Sequence, residues 1–525
     1  MILEKKYLEK VSLKHRQKYA QFFTPEAVAQ IMVNWLLEKN NISTLLEPAF
    51  GLGIFSRLLL NMQKEVKITG FEIDPIIFKT AKQYYNKFPN INLLLQDYLL
   101  SNWDYKYDAI VCNPPYFKFH DYPSKKILKE ITKKLNIKLS GFTNIYTLFL
   151  LKSIYQLQPK GRAAYLIPSE FLNANYGKYI KDYLLKSNTL RHIIIFDFQE
   201  NIFDGVLTTS AIILLAKDNN DKKVNFLKVN KIEDLTKITN TINNYPHQSS
   251  KNLIKKDSLN SQLKWRIYYQ KQKSQSYKNL IPFKTIAKVT RGIATGANNY
   301  FVFNEEKASQ YSIHPDFLLP CITSSKDIEN PFFTAKDFEN LKKNNRNIYL
   351  FNGCKKDIDK NVENYINLGE KLNIDQKYLT SKRNPWYSLE KRPPPPIWVG
   401  VFNRTGLKFV RNEVGISNLT TFHCIYLQNN ISYNIEIDLL FAYLLTDIAQ
   451  NIFNDNSREY GNGLKKFEPN DLNNALILDL SILDTKTKNI ILTLFAQYRN
   501  SVINNIENRE FINRINIILS DNYKF

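Results

Sequence analysis

Glycine is scarce in this chain, 16 residues in 525, and so are cysteine (4), histidine (6), methionine (3) and tryptophan (5). Each scarcity excludes something. Cys112, Cys321, Cys354 and Cys424 stand far apart with no CxxC among them. That argues against zinc knuckles and a disulfide framework, and for a reducing compartment. The histidines are scattered with no HExxH, so no metal is expected. Apolar runs such as 211–216 fall far short of the ~18 residues that a membrane span needs. The stretch MILEKKYLEKVSLKHRQKY is charged throughout, unlike a secretory signal, so a cytoplasmic location is expected.

Aromatic and basic residues are abundant. There are 33 Phe and 31 Tyr, and hydrophobic residues make up 44%, enough to outweigh the entropy of ordering. The length suggests roughly two to four domains. Lys+Arg is 72 against Asp+Glu 49, a net charge of +23. Residues 1–240 hold 34 basic and 22 acidic side chains, a net +12; residues 241–525 hold 38 and 27, a net +11. The chain is also crowded with Lys, Asn and Ile, as AT-rich coding produces. Charge alone therefore leaves a compositional origin open beside a polyanionic partner.

Between about 43 and 217, short apolar runs alternate with helical patterns. Strands are expected at 44–47, 66–73, 92–96, 107–112, 163–167, 192–198 and 207–215, and helices at 54–62, 75–85 and 145–157. This predicts a Rossmann-like, doubly wound α/β sheet whose last two strands form an antiparallel edge. Residues 218–262 are polar and read as a linker or peripheral segment. Beyond them, 280–430 mix short strands with Pro- and Asn-rich loops, and 437–515 look mainly helical. Two parts are expected, 1–240 and a mixed α+β domain 241–525.

Chemistry gathers at the ends of the predicted strands. The first runs into Glu47-Pro48-Ala49-Phe50-Gly51-Leu52-Gly53, where small residues let a ligand approach the backbone. As a dinucleotide motif it fails, because Ser56 stands at the third glycine. Glu72 ends the second strand and can accept from two ribose hydroxyls. Asp97 ends the third and can accept from an adenine amino group, with Tyr98 against the purine. The carboxyl ends of such strands form the ligand crevice of an open α/β sheet. The fourth strand leads into Asn113-Pro114-Pro115-Tyr116-Phe117. Two prolines fix φ and remove two N–H donors, leaving a stiff loop that offers carbonyls. Asn113 Oδ1 and the Pro114 carbonyl can each accept one N–H of a planar NH2 group, while Tyr116 offers a flat face.

In this order the motifs resemble the S-adenosylmethionine-dependent DNA adenine-N6 methyltransferases, gamma (TaqI-type) group, of restriction-modification systems. The N-terminal motif of that group reads here Gln21-Phe22-Phe23-Thr24-Pro25, although Thr24 also suits a helix N-cap and Pro25 a first helical residue. The resemblance implies S-adenosyl-L-methionine as cofactor. Thr24, Glu47 and Ala49 would lie at its methionine side, Gly51 would let it approach the backbone, and Glu72 would lie at the ribose. Asp97, Tyr98 and Phe149 would lie at its adenine. It also implies that Asn113, Pro114 and Tyr116 act on a flipped-out adenine, with Phe203 stacking opposite Tyr116. Phe50 and Glu47 stand where the family often has Cys and Asp. The resemblance covers the first ~215 residues well and the rest patchily.

By the same resemblance the second half is a target recognition domain. Its stretches 291–299, 392–423 and 457–466 are basic, Gly- or Pro-bent loops. Arg291, Asn298, Arg392, Arg404, Arg411, Arg458, Lys465 and Lys466 are the candidate contacts to double-stranded DNA. A monomer is expected, with any cognate restriction endonuclease a separate protein. Other planar NH2 groups stay open as substrates: RNA adenine, cytosine N4, or a protein glutamine as in release-factor methylation.

Overall fold

The computed structural model describes the chain apart from residues 1, 39–41, 118–124, 140–142, 175, 197–209, 232, 248–251, 355–356, 405, 429–434 and 460–463. The chain divides into two compact units, Met1–Lys271 and most of Gln272–Phe525.

In the first unit, helices α1 (Ile2–Lys10), α2 (Leu13–Lys18) and α3 (Glu26–Leu37) precede an alternating series. It runs β1 (Thr44–Glu47), α4 (Ile54–Met62), β2 (Lys67–Glu72), α5 (Pro75–Tyr85), β3 (Ile91–Leu95) and β4 (Tyr107–Cys112). Then come α6 (Lys125–Leu135), α7 (Ile145–Gln156), β5 (Leu157–Pro168), α8 (Gly177–Lys186), β6 (Leu190–Phe196) and β7 (Ser210–Ala216). The unit closes with β8 (Lys223–Val229), α9 (Asp234–Asn243) and β9 (Leu253–Lys255). The nine strands form one sheet in the order β3-β2-β1-β4-β5-β7-β6-β8-β9. The strands from β3 through β5 are parallel, and β7 lies antiparallel between β5 and β6. The expected Rossmann-like α/β sheet is therefore present, but the strand pair expected at its antiparallel edge, β6 and β7, is internal; the edge strand is β9, antiparallel to β8.

The period-2 pattern divides the core between the two faces of this sheet. Leu45, Ala109 and Val111 pack with α3 on one face, and Leu46, Ile110 and Cys112 pack with α7 on the other. In α3, Val28, Met32, Trp35 and Leu36 recur at helical spacing and are buried. Trp35 Nε1 reaches the sheet itself, donating to the carbonyls of Ala163 and Leu215, both at 3.1 Å. Those residues face each other across β5 and β7. One indole thus ties the helix to the internal antiparallel pair.

Residues 218–262 are not a linker. Val224, Phe226 and Val229 are buried in β8, and β9 pairs with β8. Farther on, Trp265 is fully buried with its ring centroid 5.8 Å from that of Phe226. The boundary thus falls at 271/272 and not at 240/241. Polarity misled here because Lys223, Asn225 and Lys228 interrupt the apolar pattern of β8, whose Asn225 is nonetheless buried.

The second unit holds a five-stranded sheet of Ala287–Arg291, Phe422–Leu427, Ile397–Gly400, Phe409–Asn412 and Phe332–Phe333, in that order. A four-stranded sheet includes Leu318–Ile322 and Tyr349–Phe351. Helices Ile437–Leu444, Asp447–Asn454, Thr485–Ile503 and Glu510–Tyr523 share a core with the five-stranded sheet. This is the mixed α+β character expected. Among the described residues no helix is long and apolar enough to cross a membrane.

Trp35→Ala should lower the unfolding free energy by ~3–5 kcal/mol, the range for emptying a buried Trp site. Urea unfolding followed by circular dichroism measures it; a loss below about 1 kcal/mol would mean that α3 is not pinned to the sheet as described.

Candidate active site

Strand order reverses direction of growth at β1 and β4, so the crevice opens at their carboxyl ends. A cleft of ≈ 960 Å³, counting its open mouth, lies there. Its lining includes Thr24, Glu47, Glu72, Asp97, Asn113 and Phe149. Ala49, Gly51 and Tyr98 line it as well. The structure therefore brings together the residues expected at the cofactor, though not every side chain has the geometry expected of it.

The turn after β1 has the backbone a close-fitting ligand requires. Gly51 and Gly53 have φ of +53° and +67°, the left-handed region that glycine tolerates. A Cβ on Gly53 would stand 2.5 Å from the Phe50 ring and 2.6 Å from the Tyr85 hydroxyl. Phe50, at the position where Cys is common, fills the space left by the missing side chains of Gly53 and Gly70 and packs edge-on against Tyr85. The ring is accommodated by the two glycines, and Phe50 still lines the cleft.

Glu72 pins this turn. Its Oε2 accepts from the Gly51 N–H at 2.9 Å, and its Oε1 accepts from Ile73 and Asp74 N–H at 2.8 and 2.9 Å. A carboxylate has about four acceptor sites, so roughly one remains for a ligand and a diol must share. Burial pushes the Glu72 carboxyl up, and the three N–H groups oppose the shift. Asp97 caps the turn Tyr98–Leu100, with Oδ1 accepting from the Leu99 N–H at 2.8 Å. Tyr98 departs from expectation. Its ring is 1% exposed and packs on Phe71 and Phe149, and its hydroxyl meets Ser153 and Gln156. It is a wall of the cleft rather than a ring free to lie on a purine, because its long polar end has partners in the core.

Glu47 also has a local role. It is 1% exposed, and its Oε2 accepts from the N–H and hydroxyl of Ser56, in the first turn of α4. Burial pushes its carboxyl up to about 8, against the Ser56 hydrogen bonds and the Arg57 charge.

Asn113 is fixed by a contact that sequence did not reveal. Its Nδ2 donates to the Phe22 carbonyl at 2.9 Å and to Thr24 Oγ1 at 3.0 Å. Among the described residues no donor reaches Asn113 Oδ1 or the Pro114 carbonyl. Thr24 is thus not a helix cap. The N-cap of α3 is Pro25, with no side-chain cap bond, and the threonine hydroxyl goes to the site. Tyr116 donates to the Leu166 carbonyl at 3.2 Å, and burial pushes its phenol above its ordinary range. Phe22 lies nearly parallel to Tyr116, with centroids 6.3 Å apart and planes at 21°. Phe203 lies outside the described residues.

The segment carrying Phe22 and Thr24 is held from its other side by Asp74, which is fully buried and caps α5. Asp74 Oδ2 accepts from Gln21 Nε2 at 2.6 Å, His15 Nε2 at 2.8 Å and the Tyr7 hydroxyl at 3.4 Å. Sequence reasoning used Gln21 only as part of a motif; its partner lies 53 residues away.

In the second unit the basic candidates separate into groups. Arg291 and Lys466 both pair with Glu468, at 3.3 and 2.7 Å. Arg392 donates to the Arg291 carbonyl and pairs with Glu390 at 2.6 Å. Lys465 sits in a short strand opposite Asn403, and Arg404 is exposed beside it. Arg411 instead braces the fold, pairing with Asp438 at 3.3 Å and donating to the Pro396 carbonyl at 3.1 Å. Asn298 is exposed, with its Oδ1 accepting from the Thr295 hydroxyl. The side chain of Arg458 lies outside the described residues. Arg383, which sequence reasoning passed over, holds the carbonyls of Ala294 and Thr295.

The family described as Eco57I restriction-modification methylase matches residues 23–203, and the C-terminal domain of type II methyltransferase M.Eco57I matches residues 265–511. Type II methyltransferase M.AccI of Acinetobacter calcoaceticus is 55% identical over 522 residues, 99% of this chain and 96% of that protein. Type II methyltransferase M.XamI of Xanthomonas campestris pv. amaranthicola is 21% identical over 472 residues, 88% and 85% of the two chains. Among solved structures, a nuclease-deletion mutant of the Type ISP restriction-modification enzyme LlaGI with a DNA substrate mimic gives a TM-score of 0.53 at 14% identity. That match covers 91% of this chain and 54% of the other, a likeness of fold. Similarity therefore extends well past residue 215.

The raised Glu47 pKa has a consequence for the cofactor-free protein. Between the ordinary glutamate value of 4.5 and about 8, the unfolded chain has released a proton that the folded chain retains. Stability contributed by this group is thus lost as pH rises through that window. Glu47→Gln should match the parent near pH 5 and melt several degrees higher near pH 9. A melting difference that does not change with pH would contradict the assignment.

Proposed function

The chain belongs to the type II restriction-modification methyltransferases, with S-adenosyl-L-methionine as cofactor and DNA as substrate, and we propose that it methylates N6 of an adenine flipped out of the duplex. The observation that carries this reading is the orientation of Asn113. With its Nδ2 held by Phe22 and Thr24, its Oδ1 is left as an acceptor beside the Pro114 carbonyl.

When bound, S-adenosylmethionine supplies an electrophilic methyl group on a sulfonium. The turn at Gly51–Gly53 admits it closely, Glu72 accepts from its ribose and Asp97 from its adenine. Asn113 Oδ1 and the Pro114 carbonyl accept the two hydrogens of the target N6. That draws the nitrogen lone pair out of conjugation and aims it away from the base plane. The N–CH3 bond forms as the S–CH3 bond breaks, leaving a neutral thioether; neither acceptor is a base at neutral pH, so catalysis rests on positioning and on dipoles matched to the charge developing on nitrogen, whose extra proton then leaves to water.

Tyr116 provides one face for the extruded base. Extruding it costs a few kcal/mol of unstacking, which stacking on an aromatic face offsets. Phe203 is proposed for a second contact, and Phe22, parallel to Tyr116, flanks the same slot. In the second unit Arg291, Arg392, Lys465 and Lys466 are proposed to meet phosphates or base edges.

Asn113→Ala and Tyr116→Ala should lose at least ~10²-fold in methyl transfer while still binding cofactor, since positioning supplies most of the rate. Thr24→Val should lose less, because the Phe22 carbonyl still holds Asn113. Sequencing DNA treated with the purified protein should show N6-methyladenine in one sequence context. Methylated cytosine, or no modified DNA, would overturn the adenine reading.

Neutralising Arg291, Lys465 and Lys466 together should flatten the salt dependence of DNA binding, by up to ~0.9 in log–log slope for each phosphate that is no longer neutralised. Binding measured by fluorescence anisotropy from 50 to 300 mM salt tests this. An unchanged slope would remove these residues from the DNA interface.

A further inference from the structure

Lys152, midway along α7, is fully buried, and the reaction above does not use it. Its ammonium donates to the Tyr98 carbonyl at 2.6 Å, the Ser101 carbonyl at 2.7 Å and Ser101 Oγ at 3.0 Å. It lies 4.7 Å from the centroid of the Tyr98 ring and 5.0 Å from that of Trp103. Every hydrogen-bond acceptor it uses thus comes from one short turn, the turn that Asp97 caps.

A buried ammonium is costly unless its hydrogen bonds are made. The neighbours of Lys152 on α7 are Leu148, Leu151 and Ile154, all buried, so an apolar side chain would suit the packing. The charge therefore has a use other than filling space. Two acids favour it electrostatically, Glu130 and Asp97, although burial pushes the ammonium down to about 8. Ser101 links the ammonium back to the turn, since its hydroxyl also donates to the Tyr98 carbonyl at 2.7 Å.

We propose that Lys152 is a positioning residue of the cofactor site: it locks the turn Tyr98–Ser101 and thereby holds Asp97 as the acceptor for the amino group of the cofactor's adenine. The inference rests on the reading of Asp97 given above. Lys152 touches neither substrate nor cofactor. It acts through the backbone of the turn, as a cation whose partners are carbonyls and whose field reaches one carboxylate of the cleft.

The test is calorimetric binding of S-adenosylmethionine to the full-length protein, for Lys152→Met, Asp97→Ala and the pair. Each single change should raise Kd about tenfold, and the pair should bind no more weakly than the poorer single, the mark of two residues acting as one. With a cofactor analogue whose adenine carries oxygen in place of the amino group, Lys152→Met should have no effect. If Asp97→Ala leaves Kd unchanged, the adenine reading of Asp97 falls, and this proposal with it. If Asp97→Ala weakens binding but Lys152→Met multiplies that loss independently, Lys152 is only part of the core and the proposal alone falls. Should Lys152→Met fail to fold, Ser101→Ala decides. It removes one acceptor and should raise Kd about threefold, again without adding to Asp97→Ala; full additivity would overturn the proposal.

Discussion

Two hydrogen bonds from one amide set the geometry on which this cleft depends. Asn113 Nδ2 meets the Phe22 carbonyl and Thr24 Oγ1. A flipped amide would turn its oxygen toward the Phe22 carbonyl, two acceptors with no hydrogen between them, so the orientation cannot reverse without a loss. The short stretch that carries those two partners is itself clamped. On the far side Gln21 donates to Asp74, the cap of α5, which also gathers His15 and the Tyr7 hydroxyl. The ends of β2 and β4 are thus joined through a segment that precedes both in sequence. Local sequence places Asn113 after a strand, but only this long-range clamp decides which atom of its side chain is presented.

That division also marks what could be read before the fold was known. Strands β1 and β4 and helices α4 and α5 stand where periodicity put them, because their apolar spacing and their caps are local. Asp74 followed by Pro75 is a helix start on any background. The failures share a different cause. β8 and β9 were missed because polar residues interrupt their apolar pattern, Lys223, Asn225 and Lys228 in β8 and Lys255 in β9, and because β9 is only three residues long. The place of β7 inside the sheet depends on pairing with β5 across more than forty residues, which no window of sequence contains. Thr24 suited a cap by every local rule, yet its hydroxyl serves Asn113. Tyr98 looked like a platform because it follows an acid at a strand end, but its hydroxyl finds Ser153 and Gln156 in the core.

The electrostatics of the first unit run against the composition of the chain. The protein carries a net charge of +23, yet the cleft is lined by Glu47, Glu72 and Asp97. Each acid also holds backbone: Glu72 the glycine turn, Glu47 the start of α4, Asp97 the turn before β4. A carboxylate that accepts from fixed N–H groups is pre-oriented, and what acceptor capacity it retains needs no reorganisation when a ligand with donors arrives. The same atoms therefore build the fold and leave acceptors in the cleft for a ligand carrying hydroxyls and an amino group. Phe50 shows that the walls tolerate change where the backbone does not. A bulky ring is accommodated because Gly53 and Gly70 leave room for it.

The basic side chains of the second unit are held in two ways. Arg291 and Lys466 converge on Glu468, and Arg392 holds the carbonyl of Arg291. One acid between two cations lowers their mutual repulsion and fixes their direction, while cancelling part of their net charge. On the reading proposed above, a phosphate meeting such a group would replace one anion by another without having to gather two mobile side chains, so less side-chain entropy would be lost on binding. Arg411, by contrast, is bound to Asp438 and to the Pro396 carbonyl, and its charge goes to joining a helix to a sheet. Counting basic residues could not separate these cases. The distinction lies in exposure: the Arg291 side chain is 63% exposed and that of Arg411 19%.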